Sequence, residues 1–131
     1  MVILLKLNPD CVRDIMLTTE DLTGHNKSFC YPSNGELFSR LAAYPLDEVM
    51  YHIKQCSDAS LIEGESLSDD SVLIEDLTPS GHEFLANIRS DTTFTKAKDV
   101  CKELGISSLK GITQIAANIT TLIIKAHFGL S

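Results

Sequence analysis

Basic residues are scarce where this sequence would need them most. The chain has 11 Lys and Arg against 18 Asp and Glu, a formal net charge of -7 at pH 7. The deficit is local. Residues 45–80 carry Lys54 alone against nine acidic groups, net -8, whereas residues 1–44 sum to -1 and residues 81–131 to +2. Nucleic-acid affinity rests largely on Lys and Arg neutralising phosphates, so a surface made from residues 45–80 repels a duplex wherever screening is incomplete. Other features are missing too. The four cysteines, Cys11, Cys30, Cys56 and Cys101, form no CxxC pair, and no Cys/His run has zinc-finger spacing. That argues against a metal site and for reduced thiols in a cytoplasmic setting. There is no Gly-rich phosphate loop and no nucleophile elbow. No secretory leader is evident, since Met1–Leu5 is apolar but short and lacks a leading positive region. Strand-like runs are few and repeats are absent. Hydrophobic content of 44% with 22% charged residues is that of a folded chain, so a mainly helical protein is expected.

The chain is organised around residues 45–85. Leu46, Val49, Met50 and Ile53 recur at the spacing of one face of an amphipathic helix. Two short apolar runs follow, Leu61-Ile62 and Val72-Leu73-Ile74, separated by a polar turn that predicts a hairpin. Leu77-Thr78-Pro79 then opens a helix, with Thr78 as N-cap and Pro79 at its first position, burying Phe84, Leu85 and Ile88. Helix, hairpin, helix is the back half of a winged helix. Upstream, Asn8-Pro9-Asp10 starts a helix that runs to about Leu22 with Val12, Ile15 and Met16 inward. Ser28–Tyr31 is expected as a small first strand. A second helix from Ser33 or Asn34 through Leu37, Phe38, Leu41 and Ala42 stops at Tyr44-Pro45. Ser90-Asp91-Thr92 reads as an internal cap, and Gly105 as a left-handed helix terminus. The expected division is a winged-helix domain over residues 1–90 and a C-terminal helical extension over 91–131.

Ser107 is expected to cap the last helix, from Ser108 to about Phe128. Leu109, Ile112, Ala116, Ile119, Ile123 and Ala126 alternate spacings of three and four, a heptad seam, which Ile115 and Leu122 widen. Lys110 and Lys125 enclose only 14 residues, some of them polar, whereas a bilayer takes about 20 apolar ones. The seam therefore packs on the domain or against a second copy, making a homodimer an expectation.

The run Tyr51-His52-Ile53-Lys54, then Ala59-Ser60-Leu61-Ile62-Glu63, then Leu77–Leu85 with Gly81-His82-Glu83-Phe84 at its centre, resembles an uncharacterised family of small bacterial and phage proteins (domain of unknown function 2513). Members typically read HLKLLxEAGLI, then LTxxGHEFLDxIRDDTVWNKxK. The later part here is Ile88–Lys96, and Gly105, Ser107-Ser108-Leu109 and Gly129-Leu130 complete the pattern. Phe94 stands where the family usually has Trp. The resemblance runs from about Cys11 to the C-terminus. It implies a winged-helix-like fold and frequent occurrence in phages and mobile elements, and no established activity. The wing followed by LTxxG is also similar to winged-helix regulators of the multiple-antibiotic-resistance type, which bears on fold and not on function.

The candidate partner-binding face is acidic. Asp47, Glu48, Tyr51, Lys54, Gln55 and Asp58 lie outward on or beside the central helix, and Glu63, Glu65, Asp69 and Asp70 lie on the wing. Tyr51, Lys54 and Gln55 are side chains that hydrogen-bond base edges, but the carboxylates around them favour a basic protein partner. The bland reading is a solvated acidic face. His82, Glu83, Arg89 and Asp91 suggest acid–base chemistry only superficially, because neighbours on a helix point about 100° apart. Arg89 is expected to pair with Asp91 or a wing carboxylate. The expected function is that of a non-enzymatic accessory protein of phage or mobile-element origin. It carries no cofactor and no membrane span, and docks a protein partner of unstated identity through the helix–wing face. A dimeric DNA-binding regulator is the alternative, with Leu109, Ile112, Ile115, Ala116, Ile119, Leu122 and Ile123 as the dimer seam.

Overall fold

Helix capping determines where each element begins. In the structure, a computed structural model describing residues 6–32, 38–67 and 70–129, α1 (Pro9–Leu22) starts at Asn8, whose side chain accepts the Asp10 N–H at 3.0 Å. Strand β1 (Phe29–Tyr31) follows. A short 3-10 turn, Leu41–Ala43, precedes α2 (Leu46–Asp58). Strands β2 (Ile62–Ser66) and β3 (Val72–Leu77) form the hairpin. Helix α3 (Pro79–Ile88) has the Thr78 hydroxyl accepting the Gly81 N–H at 2.9 Å. Helix α4 (Asp91–Leu104) is capped by Ser90, and α5 (Leu109–His127) by Ser108, which accepts the Gly111 N–H at 3.0 Å. Each cap satisfies a backbone donor that the first helical turn leaves without a partner.

The sheet is antiparallel with strand order β1-β3-β2. Phe29 pairs with Ile74 and Tyr31 with Val72, while Ile62 pairs with Leu77 and Ser66 with Val72. The register shifts between Glu63 and Gly64, leaving Glu75 as the extra residue on β3. The protein is thus mainly helical, with five helices and one small three-stranded sheet among the described residues. A helix before the hairpin and a first strand joining it are compatible with a winged helix. One core runs through all these elements, from Cys11, Ile15 and Met16 on α1 through Ile53 on α2, Ile74 on β3 and Leu85 on α3 to Ala97 on α4 and Ala116 on α5.

Four expectations are corrected. Leu46, expected inward, is 51% exposed, because the buried face of α2 is Val49, His52, Ile53 and Cys56. Its centre lies about 60° round the helix from the one read from the apolar pattern. Met50 is only half-buried at the edge of that face. The described part of the second helix, through Leu41 and Ala42, is a 3-10 turn rather than an α-helix. It stops at Tyr44, extended before Pro45. The last helix is capped by Ser108, not Ser107. Arg89 pairs with neither Asp91 nor the wing. Its guanidinium makes a two-pronged contact with Glu20 on α1, at 3.0 and 2.5 Å, while Asp91 is held by Arg13 at 2.8 Å. Met1–Leu5, Ser33, Asn34, Leu37, Asp69 and Leu130, for which the sequence also sets expectations, lie outside the described residues.

Candidate partner-binding surface

The α2 helix positions the candidate side chains by burying the opposite face. Val49, His52, Ile53 and Cys56 are all within 1% of full burial. By the 100° step of a helix, Asp47, Tyr51, Lys54 and Asp58 then form the outward ridge. Asp47, Lys54 and Asp58 are exposed and Tyr51 is half-buried. The helix end is fixed by a left-handed Ser60 (φ 61). The Leu61 N–H reaches the Cys56 carbonyl at 2.9 Å and the Ser60 N–H reaches that of Ser57 at 3.0 Å, the paired bonds of a Schellman stop. That turn throws the chain directly into β2.

The candidate residues do not form one continuous face. Lys54 and Asp58 are joined by an ion pair of 2.8 Å, and the hydrogen bond to Asp58 holds the Lys54 ammonium above its ordinary range. Both line a groove of about 400 Å³ between α2 and the hairpin, with Met50, Gly64 and Ser66 on its walls. Tyr51 and Gln55 lie on the other flank. They line a cleft of about 550 Å³ with Lys6, Leu7 and Ser107–Leu109. Glu63 belongs to a third hollow, with Glu75, Asp76 and the His25–Lys27 loop. Alternation along β2 puts Glu65 on the Glu63 side and Gly64 and Ser66 on the α2 side. Asp70, with φ 62, sits exposed in the hairpin turn. Because β2 is the edge of the sheet, Glu63 and Glu65 also discourage strand addition by another chain.

Glu48 is drawn inward. Its Oε1 accepts the Asn8 side-chain amide at 3.1 Å, and its backbone carbonyl lies 2.7 Å from His52 Nδ1. A carbonyl only accepts, so Nδ1 carries the hydrogen. Nε2 is then free to accept the Asn8 backbone N–H at 2.7 Å. His52 is thus a fully buried neutral clasp between the start of α1 and α2. Sequence reading missed it as a core residue, although its place between Val49 and Cys56 at helical spacing carried the signal. Cys11 and Cys56 are buried nearby, and burial pushes both thiols up to about 12, which excludes them as nucleophiles at neutral pH.

The family model described as "Hypothetical protein (DUF2513)" matches residues 6–107. The chain belongs to this family. A relative named "Uncharacterized protein" from Haemophilus influenzae strain Rd is 32% identical over 119 residues, covering 88% of this chain and 95% of its own length. No solved structure matches the chain. The structure gives the DUF2513 motifs a packing role. Of Gly81-His82-Glu83-Phe84, Gly81 and Phe84 are buried while His82 and Glu83 face solvent. Phe94 is 3% exposed. The Arg13 guanidinium lies 4.8 Å from its ring centroid and the Lys98 ammonium 4.6 Å. These cations are held by Asp91 and by Asp10 at 2.8 and 2.9 Å. An aromatic ring between two paired cations is a structural seam joining α1 to α4. Among the described residues no group of His, Cys, Asp and Glu is arranged to hold a metal ion. No helix among them is long and apolar enough to cross a membrane.

Proposed function

We propose that this protein is a non-enzymatic accessory protein, of phage or mobile-element origin, that docks a basic protein partner through the acidic surfaces of α2 and the β2–β3 hairpin. The charge of that region carries the reading. Among the described residues from 45 to 80, eight carboxylates stand against Lys54, and Lys54 is already held by Asp58. Of the cations from elsewhere, Arg13, Lys98, Arg40 and Arg89 pair with Asp91, Asp10, Asp21 and Glu20, and the region stays acidic even with Lys6, Lys27 and Lys110 at its borders. A phosphate backbone meets repulsion over such a surface, whereas a basic protein meets a complementary field that speeds encounter and selects orientation. A dimeric DNA-binding regulator is the second reading, favoured by the winged-helix-compatible order and by Tyr51, Lys54 and Gln55 on the outer side of α2.

The test is capture from host lysate by the purified full chain, beside a DNA mobility-shift titration at low salt. The variant changes Asp47→Asn, Glu63→Gln, Glu65→Gln and Asp70→Asn, all exposed positions. One stoichiometric basic protein, retained by the parent chain, lost from the variant and released by salt, is the expected result. Salt-dependent DNA retention with no captured protein would overturn the proposal in favour of the regulator.

A further inference from the structure

The fold treats the two halves of α5 differently. Leu109, Ile112 and Ala116 are buried in the chain's own core, and Ile115 and Ile119 are half-buried against it. Beyond Ile119 the same seam continues into solvent. Leu122 is 64% exposed and Ile123 42%, whereas the exposed Ile124 and Phe128 project from the other side of the helix. The stripe Ile119, Leu122, Ile123 and Ala126 is one wall of a groove of about 420 Å³. The other wall is α4, through Val100 and the exposed Lys96, Asp99 and Glu103.

We infer that this groove is the contact surface between two copies of the chain, with the two α5 helices crossing antiparallel about a two-fold axis near Leu122 and Ile123. A two-fold contact requires a patch that complements itself. This one supplies an apolar stripe with the three-and-four spacing that packs against its own copy. It also carries both signs of charge, with two acids against Lys96 on the α4 wall. The last turn of α5 is purely basic, with Lys125 and His127 flanking the stripe on either side by the helical step. The α4 wall supplies Asp99 and Glu103, so an antiparallel crossing brings the basic end of one copy towards the acidic wall of the other. On this stripe Leu122 and Ile123 expose roughly 200 Å² of apolar side chain per copy, taking about 150–200 Å² for each whole side chain. The polar rims of α4 and α5 then make up most of the contact between two copies, whose total lies among the small, transient interfaces below about 1,200 Å². That size fits a reversible dimer. A lipid surface is a poorer occupant, because Lys125 and His127 alone offer little attraction to anionic headgroups.

The experiment is sedimentation equilibrium of the full chain over a hundredfold dilution series, with Leu122→Glu as the disrupting variant. Leu46→Glu is the control, at another exposed apolar position, on α2. Both positions are exposed, so neither change threatens folding, and circular dichroism verifies it. The parent chain and Leu46→Glu are expected to move from 14.4 kDa towards twice that mass as concentration rises, while Leu122→Glu stays at the monomer mass. A parent chain that remains monomeric throughout, or a Leu122→Glu chain that dimerises like the parent, would overturn the proposal. So would a monomeric parent that instead co-sediments with phosphatidylglycerol vesicles.

Discussion

Replacing Gly81 by alanine is expected to destabilise the protein, although the same change in an open helix would stabilise it. Gly81 lies in the first turn of α3. A Cβ built there would stand 1.9 Å from the Leu61 carbonyl oxygen, 3.0 Å from the Leu61 carbonyl carbon and 3.3 Å from Met16 Cε. The obstacle is backbone, so a rotamer change cannot relieve it. The Leu61 carbonyl also accepts the Thr78 N–H at 3.0 Å, and the Thr78 hydroxyl bridges from the Gly81 N–H to the Ser60 carbonyl. Moving α3 away by the ångström or more that a methyl requires stretches that set of bonds. Helix propensity favours alanine by about 1 kcal/mol. Overpacking against rigid backbone costs roughly 1–3 kcal/mol, and loss of the Thr78 cap with its hydrogen bond adds about 1–2 kcal/mol. The net expectation is a loss of about 1–4 kcal/mol. For a chain of this length that is a fall in Tm of roughly 10 °C. Thermal and urea unfolding followed by circular dichroism at 222 nm measure it, with Gly24→Ala as control, since a Cβ at Gly24 meets nothing within 4 Å. A Gly81→Ala chain as stable as the parent, or more so, would refute the close approach of α3 to Leu61 and with it the packing role given to this motif glycine.

Other outcomes follow from the same geometry. His52→Phe keeps most of the buried volume but strands the Asn8 N–H, and is expected to cost about 1–3 kcal/mol in urea unfolding; a neutral change would remove the clasp between α1 and α2. Ser60→Gly relieves a left-handed non-glycine residue at φ 61, and should raise stability by roughly 0.5–1 kcal/mol on the same assay. The Arg89 guanidinium, chiefly by hydrogen bonding, holds the Glu20 carboxyl below its ordinary value near 4.5. A depressed carboxylate adds stability that is present above the unfolded-state value and is lost as pH falls through the folded one. Arg89→Ala should therefore be less stable than the parent at neutral pH, and the gap should close on acidification below about pH 4.5; a gap independent of pH would refute the pairing. Of the four thiols, Cys11, Cys56 and Cys101 are buried and burial raises all three. An aromatic disulfide reagent at pH 8 should label Cys30 first and the others only on unfolding, and four equal rates would contradict that burial.

The parts legible in the sequence are those settled within a few residues. Asn8-Pro9, Thr78-Pro79 and Ser90 start helices because each side chain reaches a donor two or three residues ahead. Gly105 ends one because it reaches φ 70 without cost. The hairpin followed from two apolar runs of the right length around a polar turn. The acidity of residues 45–80 was equally a property of the chain itself. Tertiary structure decided what no local pattern contains. It rotated α2 so that His52 and Cys56 entered the core and Leu46 did not, because the face a helix buries is set by what packs against it. It divided the acids between the outer side of α2 and the far side of β2, since strand alternation and the bulge beside Glu63 act only once β2 and β3 have paired. It also cut a uniform apolar seam on α5 into a buried half and an exposed half. Periodicity records that a stripe is apolar, but only the reach of α3 and α4 determines how far along that stripe the chain can cover itself.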